Sequence, residues 1–332
     1  MNKITITSEE ASQRLDKFLK RYLPEAGGSF LYKQLRKKNI VLNGKKSAGS
    51  EMLREGDEIT IWFSDETLQK FMGLSRDAGA KKQQKVLPAS WIVYEDDWLL
   101  AVNKPAGILS QPAESDDVSV DGMIREYLLE SGQMTEKDFL RYRPGTLNRI
   151  DRNTSGLILA AKTLPAAQQL SRMIRDREIR KYYLALVCGI CAEKQKMDAW
   201  LVKDSRTNSV RVTADRTEGA SHIQTACEPV RTLKLCGRPY TLLSVELITG
   251  KTHQIRAHLS FIGHPIAGDV KYGISDANRE LREHFGLKRQ FLHAYRMVFP
   301  DTEAGYAPGT ADGVLTAPLP DPLRTILEAG EE

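Results

Sequence analysis

The sequence has no long apolar run and few cysteines. Its longest nearly unbroken apolar stretch, residues 184–191, is interrupted by Gly189 and is far shorter than the ~20 residues that a membrane-spanning helix needs. The first ten residues, MNKITITSEE, have no apolar core and soon become acidic, unlike a signal peptide. Only 4 of the 332 residues are cysteine, too few for a disulfide framework. The sequence therefore predicts a cytoplasmic protein in a reducing compartment, with no membrane partner.

The motifs that hold common cofactors and metals are also missing. We find no glycine-rich phosphate loop ending in Lys-Ser or Lys-Thr, no dinucleotide fingerprint and no His-Glu-x-x-His pair. Cys188 and Cys191 have the spacing of a zinc-binding pair, but Cys227 and Cys236 lie too far apart in the sequence to complete it. We therefore predict no metal and no cofactor. A zinc-dependent nucleic-acid enzyme that uses these cysteines is the alternative.

Positive charge is concentrated in the body of the chain and negative charge at its C-terminal end. The formal net charge is +5. Residues 1–64 contain 12 Lys and Arg against 8 Asp and Glu, whereas residues 301–332 contain 1 against 7. A basic body with an acidic tail is typical of proteins that bind a polyanion, although a solvated charged surface gives similar totals.

Residues 1–64 have the pattern of a self-contained module. Apolar residues at helical spacing predict an amphipathic helix that begins near Ser8: Ala11, Leu15, Phe18, Leu19 and Tyr22. A second helix is predicted over residues 29–38, with Leu31 and Leu35 facing inward. Two strands, over 40–42 and 57–63, follow it with a tight turn at Asn43-Gly44. The second helix and the turn carry a group of cations: Lys33, Arg36, Lys37, Lys38 and Lys45.

This module resembles the αL RNA-binding fold, which a small-subunit ribosomal protein shares with many RNA-modifying enzymes. The resemblance covers residues 11–63 and rests on RLDKFL, LRKKNIVLNGKK and EGDEITIW. It implies that the cations contact phosphates on adjacent turns of RNA. A solvated helix face in a small interaction domain is the alternative.

The rest of the chain divides into a linker, a body and a tail. Residues 65–88 lack periodicity and include a small, polar stretch, which predicts a flexible linker. Over residues 89–300, short β-rich runs at hairpin-like spacing alternate with predicted helices at 118–129, 164–175 and 252–262. This pattern predicts an α+β domain with a mixed, mainly antiparallel sheet. Residues 301–332 form an acidic tail.

A polar run between two β-rich segments contains the candidate catalytic acid. In GTLNRIDRNTSGLILAAK, Asp151 directly follows a predicted strand, where a loop can present a side chain from a rigid edge. Arg149 and Arg152 flank it and are candidates for binding an anionic substrate. From these residues alone, an aspartate that caps its own turn is an open alternative.

The run LNRIDRNTSG resembles the signature of the RluA-type pseudouridine synthases, His-Arg-Leu-Asp-x-x-Thr-Ser-Gly. Three further segments resemble blocks of that family in the same order: YEDDWLLAVNKPAGILSQP, REIRKYYLALVCG and ELITGKTHQIRAHLSFIGHPIAGDVKYG. Asn148 replaces the usual histidine and Ile150 the usual leucine. Neither position is one to which the family assigns chemistry, so we expect activity to survive.

The resemblance implies a reaction and three catalytic residues. Uridine becomes pseudouridine without gain or loss of atoms or electrons, so no cofactor is needed. Asp151 would attack C1′ of the sugar or stabilise positive charge there, or would instead remove a proton from C2′. Arg256 would pair with Asp151, and Tyr183 would stack on the base or remove the final C5 proton. From the residues alone, a phosphate contact for Arg256 and a core position for Tyr183 are open alternatives, and the core position is the one that the residues favour for Tyr183.

The resemblance also implies the partner. An αL module ahead of such a catalytic body is typical of the family branch that modifies large-subunit ribosomal RNA, with transfer RNA as the alternative. The target base has to leave its stack to reach the pocket. We expect the chain to act as a monomer. A catalytically silent RNA-binding or ribosome-assembly factor is the competing hypothesis.

Overall fold

The computed structural model describes residues 1–73, 85–114, 117–204, 206–207, 209–300 and 313–330. The chain forms two compact units, one of residues 1–87, 114–145 and 161–169 and the other of residues 88–113, 146–160 and 170–332. The α-helices of the described residues are α1 (Leu15–Tyr22), α2 (Gly28–Arg36), α3 (Asp65–Met72), α4 (Val120–Glu130), α5 (Glu136–Arg141), α6 (Leu164–Arg175), α7 (Gln254–Phe261), α8 (Ser275–Phe285) and α9 (Asp321–Glu328). The strands are β1 (Asn2–Thr5), β2 (Ile40–Leu42), β3 (Glu58–Ile61), β4 (Ile92–Glu95), β5 (Leu99–Lys104), β6 (Gly145–Thr146), β7 (Ser155–Ala161), β8 (Arg180–Cys188), β9 (Gln195–Asp204), β10 (Ser209–Thr213), β11 (Ser221–Leu235), β12 (Arg238–Leu247), β13 (Leu292–Val298) and β14 (Val314–Thr316).

The N-terminal part of the first unit is a small antiparallel sheet with two helices. The strand order is β1-β3-β2, and the core buries Phe18 and Leu19 of α1 and Leu31 and Leu35 of α2. These are residues of the apolar faces that helical spacing predicts. The turn at Asn43-Gly44 also agrees with the prediction, because both residues have positive φ angles of 51° and 70°, which asparagine and glycine tolerate best. Strand β1 escaped the sequence analysis.

Helix α1 begins later than the sequence predicts. Residues Ser8–Glu10 form a separate 3₁₀ turn, which Thr7 caps together with the side chain of Glu10. Ser12 then has a φ of 62°, a left-handed conformation that interrupts a right-handed helix. The predicted start at Ser8 is therefore wrong, and α1 begins at Leu15.

Part of the predicted flexible linker is a helix. The Ser64 hydroxyl accepts a hydrogen bond from the Thr67 N–H (3.2 Å) and so caps α3, and Gly73 ends it in a left-handed conformation. Leu68 is buried, and Phe71 lies 4.8 Å from Phe30 between ring centroids. This short helix has too few apolar residues to produce a clear periodicity. The rest of the linker prediction lies largely outside the described residues, since residues 74–84 are not among them.

The first unit also recruits part of the predicted catalytic domain. Helices α4 and α5 belong to it rather than to the second unit. Arg141 of α5 forms an ion pair with Glu10 (3.1 Å) and donates a hydrogen bond to the Thr5 carbonyl (3.1 Å). Leu87 donates its N–H to the Met123 carbonyl (3.2 Å). The predicted boundary at residue 64 therefore lies inside the first unit, whereas the one at residue 88 is within one residue of a unit boundary, between residues 87 and 88.

The second unit is built on one large sheet. Its main strand order is β10-β9-β11-β12-β8-β13-β7-β5-β4, with β14 paired to β13 and β6 to β7. Strands β7 and β13 pair in parallel, whereas the other pairs with a defined register along this path are antiparallel. The predicted mixed, mainly antiparallel α+β architecture is confirmed. Across the described residues, we find no helix with the length and apolar character to cross a bilayer.

The described part of the predicted acidic tail, residues 313–330, is folded. Strand β14 extends the sheet beside β13, and α9 packs Leu323, Ile326 and Leu327 against the core of the second unit. The Arg231 side chain donates hydrogen bonds to the Leu327 and Gly330 carbonyls (3.1 and 2.9 Å). The negative charge of the tail concealed this apolar face in the sequence analysis. Residues 301–312 and 331–332 lie outside the described part of the chain.

Candidate active site

Asp151 lies in a short loop that leads into the most buried strand of the sheet. All seven residues of β7 are buried. The Ser110 hydroxyl binds both backbone groups of Ile150, at 3.1 Å to its N–H and 2.9 Å to its carbonyl. The Asp151 carbonyl accepts a hydrogen bond from the Thr154 N–H (3.0 Å). These backbone bonds hold the loop in one conformation and so present the Asp151 side chain from a rigid edge.

A buried lysine also stabilises the loop of Asp151. Lys104 is fully buried, and its ammonium group donates to the carbonyls of Pro105 (3.0 Å), Ile108 (2.9 Å) and Arg152 (3.1 Å). Burial lowers the pKa of Lys104 to about 7, against the opposing charge of Asp151. The three protons of the ammonium group thus satisfy three carbonyls of the two loops beside the site.

Glycine is required where β7 passes β13. Gly156 has a φ of 116°, and a Cβ added there would lie 2.2 Å from the Ala294 carbonyl oxygen. No side chain fits at that distance. The close approach fixes the start of β7 and therefore the loop of Asp151 before it.

Arg256 contacts two carboxylates. Its Nη1 atom lies 2.9 Å from Oδ2 of Asp151, whose side chain is 26% exposed. Its Nε and Nη2 atoms lie 2.6 and 2.9 Å from the two carboxylate oxygens of Asp269, which is fully buried. Helix α7 supplies Arg256 and the following turn supplies Asp269. The predicted pairing of Arg256 with Asp151 is present in the structure, and a second, more buried partner accompanies it.

The contacts of Arg256 keep these buried groups charged. Burial alone would lower the pKa of Arg256, but the hydrogen bond and charge of Asp269, together with Asp151, raise it above its usual value. Burial would likewise raise the pKa of Asp269, but hydrogen bonds from Arg256 and from the N–H groups of Lys271 and Tyr272 lower it. Both groups are therefore ionised at neutral pH.

One of two adjacent tyrosines in β8 lies beside Asp151. Tyr183 of β8 lines the same pocket as Asp151 and Arg256, and burial raises its pKa. Its neighbour Tyr182 has Arg180 and Arg296 over its ring at 5.3 and 5.7 Å, because successive strand residues face opposite sides of the sheet. The structure thus places Tyr183, rather than Tyr182, beside the aspartate.

His253 is a site residue that the sequence analysis missed. It precedes α7 with a φ of 54°, and its Nε2 atom lies 3.9 Å from Oδ2 of Asp151. Its Nδ1 atom is 3.0 Å from the Tyr272 hydroxyl, which itself accepts a hydrogen bond from the Val210 N–H (2.9 Å). The Tyr272 hydroxyl proton is therefore available to Nδ1, which leaves the Nε2 proton of the neutral ring facing Asp151. Burial lowers the pKa of His253 and favours this neutral form.

The two flanking arginines differ in position. Arg149 is exposed and lines the pocket. Arg152 is also exposed, but it is not among the pocket-lining residues, and its Nε donates to the Gly107 carbonyl (3.3 Å). Asn148 does not face the pocket either. It bonds the Leu157 carbonyl (3.1 Å) and the Leu159 N–H (2.7 Å) through its amide, so this departure from the family signature serves the backbone of β7.

The predicted RNA-binding cations belong to the first unit. All of them are exposed, on α2, just after its end, or in the connection between β2 and β3: Lys33, Arg36, Lys37, Lys38 and Lys45. Lys38 has a φ of 61°, which ends the helix before the predicted residue 38. Together these exposed side chains make up the cationic surface of the first unit.

The structure offers little to a metal ion in the part of the chain that it describes. No group of three or more His, Cys, Asp or Glu residues converges there in a way that could hold one. Cys188, Cys191 and Cys227 are buried and free of disulfides, and Cys236 is half-buried. The zinc alternative therefore gains no support from the described residues.

Comparison with known proteins points to one family. Residues 98–261 match the family model described as RNA pseudouridylate synthase. The chain is 32% identical to the ribosomal large subunit pseudouridine synthase C of Escherichia coli K12 over 332 residues, which covers 98% of this chain and 95% of the relative. The enzyme of the same name from Vibrio vulnificus is 32% identical over 304 residues, or 90% of this chain and 89% of that one. Among solved structures, human RNA pseudouridylate synthase domain containing 4 has the same fold, with a TM-score of 0.57 at 20% identity, over 73% of this chain and 94% of that one.

Proposed function

This chain belongs to the RNA pseudouridine synthases of the RluA type, and from that membership we propose that it isomerises specific uridines of large-subunit ribosomal RNA to pseudouridine. The family activity is that of an isomerase. The choice of RNA is supported by relatives named for the large ribosomal subunit, which match this chain over nearly its whole length. The cationic surface of the first unit supports it further, since exposed cations on a small module suit a folded RNA. Transfer RNA is the alternative substrate.

The observation that carries the proposed chemistry is the Asp151–Arg256 pair at 2.9 Å, in one pocket with Tyr183. Breaking the bond between N1 and C1′ builds positive charge on the sugar. The partly exposed Asp151 carboxylate would attack C1′ or stabilise that charge, or would remove a proton from C2′. The uracil then turns and its C5 bonds to C1′, which breaks the bond to Asp151 if that residue had attacked. C5 loses a proton and N1 gains one, so no atom is gained or lost overall.

Tyr183 is better suited to binding the base than to removing a proton from it. Burial raises the pKa of its hydroxyl, so the residue is a neutral phenol at neutral pH. A neutral phenol beside a carboxylate is a weak base but a good stacking surface. We assign Tyr183 to stacking against the uracil.

The remaining site residues would bind RNA. Arg149, exposed on the pocket, would fill the space left by the extruded uridine or hold a phosphate. Arg152 and the cationic surface of the first unit would contact phosphates farther along the RNA. The pocket residues named here all come from one chain, so the proposal requires no second copy, and action as a monomer stays a prediction, as does the cytoplasmic location.

Pseudouridine mapping tests the proposal. We expect a strain without this protein to lose pseudouridine at defined positions of large-subunit ribosomal RNA, and the wild-type gene to restore them. Asp151→Asn is nearly isosteric but lacks an ionisable carboxylate, so it should not restore them. The control is Asp176→Asn, which removes a carboxylate from an exposed ion pair and should behave as wild type.

Two results would contradict the proposal. Loss of pseudouridine from transfer RNA alone would shift the substrate to that RNA. Restoration of the missing sites by the Asp151→Asn variant would remove Asp151 from the chemistry and would favour the silent RNA-binding hypothesis.

A further inference from the structure

Arg256 does not divide its hydrogen bonds evenly between its two carboxylate partners. Asp269 accepts two, from Nε and Nη2 at 2.6 and 2.9 Å, whereas Asp151 accepts one, from Nη1 at 2.9 Å. The two-bond contact with a planar guanidinium is the geometrically restrictive one. Asp269 therefore determines where the plane of the guanidinium lies, and Asp151 receives the one remaining direction.

Asp269 is itself rigidly held. Its side chain has no exposed surface, and its Oδ1 atom accepts hydrogen bonds from the N–H groups of Lys271 (2.8 Å) and Tyr272 (3.2 Å). Its carbonyl accepts another from the Asn278 amide (2.8 Å). The Tyr272 ring also contacts the guanidinium of Arg256, with 5.2 Å between the Arg256 Cζ atom and the ring centroid. One turn thus fixes Arg256 from two sides.

The net charge of Asp151, Arg256 and Asp269 together is negative, which suits the reaction. Two carboxylates share one guanidinium, so the group carries one net negative charge. Asp269 is fully buried and Arg256 nearly so, whereas Asp151 is 26% exposed toward the pocket. The member of the group that faces the substrate is therefore the one whose charge the arginine compensates least.

We infer that Asp269 is a positioning residue, which holds Arg256 by its other edge so that Asp151 keeps a net negative charge toward the sugar. The inference rests on the roles proposed above for Asp151 and Arg256. Without Asp269, Asp151 is the one close carboxylate that the described residues leave to the buried guanidinium, which then turns both edges of its fork toward it. A carboxylate neutralised in this way stabilises developing positive charge at C1′ less well, because electrostatic stabilisation depends on charges fixed in place before the reaction.

The test is a double-mutant cycle measured under single-turnover conditions with saturating enzyme. Asp269→Asn should slow pseudouridine formation about 100-fold, the loss that a misplacement of about 1 Å can cause in an active site, with the RNA dissociation constant unchanged. Arg256→Lys keeps the charge but loses the fork, so it should also be slow. Because Asp269 acts through that fork, Asp269→Asn should cause no further loss in the Arg256→Lys background.

A general weakening of the structure would look different. It would slow the reaction in both backgrounds, whereas the positioning role acts only when Arg256 is present. Asp121→Asn is the matched control, since Asp121 is a buried carboxylate 2.6 Å from Arg125 outside the site. We expect this control to lower thermal stability and to leave the single-turnover rate unchanged. If circular dichroism shows Asp269→Asn to be unfolded, Asp269→Glu takes its place in the cycle, because one added methylene also breaks the two-bond contact.

The possible failures are distinguishable. An Asp269 variant within about threefold of wild type, or a further loss beyond about threefold in the Arg256→Lys background, would overturn the inference. If Arg256→Lys is slow in that case, the proposed function stands. If Arg256→Lys itself reacts at the wild-type rate, the role proposed for Arg256 is wrong, and the inference about Asp269 is wrong with it.

Discussion

His258 and His293 are almost fully buried, and burial lowers the pKa of each to about 4. His258 contacts the Thr225 hydroxyl (3.0 Å), and the charge of Asp198 opposes its shift only weakly. His293 lies between the Ser155 hydroxyl (2.8 Å) and the Ala317 carbonyl (3.2 Å). Ser155 belongs to the signature that follows Asp151, and Ala317 follows β14, so a neutral His293 links the catalytic strand to the C-terminal segment.

These shifts predict that acid destabilises the protein well above the pKa of its carboxylates. An unfolded histidine binds its proton near pH 6.5, whereas the two folded ones do so only near pH 4. The stabilising contribution is therefore complete above about pH 6.5 and is lost as the pH falls toward 4, by about 3 kcal/mol at most for each residue. Urea unfolding at several pH values between 7.5 and 4.5 measures the loss.

The variant His293→Gln isolates one of the two contributions. It should be less stable than wild type at pH 7.5 but should lose less stability on acidification, because one group that gains a proton on unfolding is gone. His284→Gln, at an exposed position of α8, should lose as much as wild type. An equal loss in the His293 variant and in wild type would show that His293 does not carry the effect.

At the scale of elements, α2 shows what a periodic pattern of apolar residues predicts correctly. Its inward residues Leu31 and Leu35 are buried and its cations are exposed, as the spacing predicts. Helix α6 also coincides with its prediction at residues 164–175. Helix α3 escaped prediction because Leu68 is its only fully buried residue, and α9 because its apolar residues lie among the charges of the tail.

The exposed cations of α2 lead to a prediction about RNA binding. Arg36→Gln/Lys37→Gln should weaken binding to ribosomal RNA and flatten the plot of log affinity against log salt by up to about 0.9 per lost phosphate contact. The control, Arg282→Gln/Lys288→Gln, removes two exposed cations of the second unit and should leave the slope unchanged. Equal slopes for the α2 variant and wild type would assign the α2 surface a role other than phosphate binding.

At the scale of the whole molecule, the compact units do not follow the order of the domains that the sequence suggests along the chain. The sequence suggests a removable module at residues 1–64, because a polar stretch follows it. In the structure, the first unit includes α4 and α5 from farther along the chain, and Arg141 of α5 bonds to both Glu10 and Thr5.

Removal of residues 1–64 should therefore damage more than RNA binding. The truncated chain loses the partners of Arg141 and the helix α1 against which α5 packs. We expect its thermal unfolding midpoint to fall by about 5 °C or more and its newly exposed apolar surface to promote aggregation. The Arg36→Gln/Lys37→Gln variant, which alters only exposed side chains, should keep the wild-type midpoint. A truncated chain that unfolds at the wild-type temperature would show that the remainder folds independently.

Features that repeat locally or that lie in a compact motif could be predicted from the sequence. Alternating and helical patterns predicted the α+β class. The resemblance of the run around Asp151 and of two later blocks to one family singled out Asp151, Tyr183 and Arg256 as candidate catalytic residues. These features can be predicted because each depends on residues a few positions apart in the sequence. Gly156 is likewise part of the compact motif around Asp151. Only the structure shows why a glycine is required there, because the Ala294 backbone excludes a side chain.

The ion pairs between distant residues, and the segments that share a core, become apparent only in the tertiary structure. Arg256 is 105 residues from Asp151 and 13 from Asp269 along the chain, and no periodicity links them. Their contact exists because α7 and the turn after it pack beside the loop at the start of β7. Asp269 and His253 stand inside a block that resembles the family, yet nothing in their spacing predicts a bond to Arg256 or an approach to Asp151. Contacts between distant residues depend on the packing of whole elements, which hydrophobic spacing along one element does not encode.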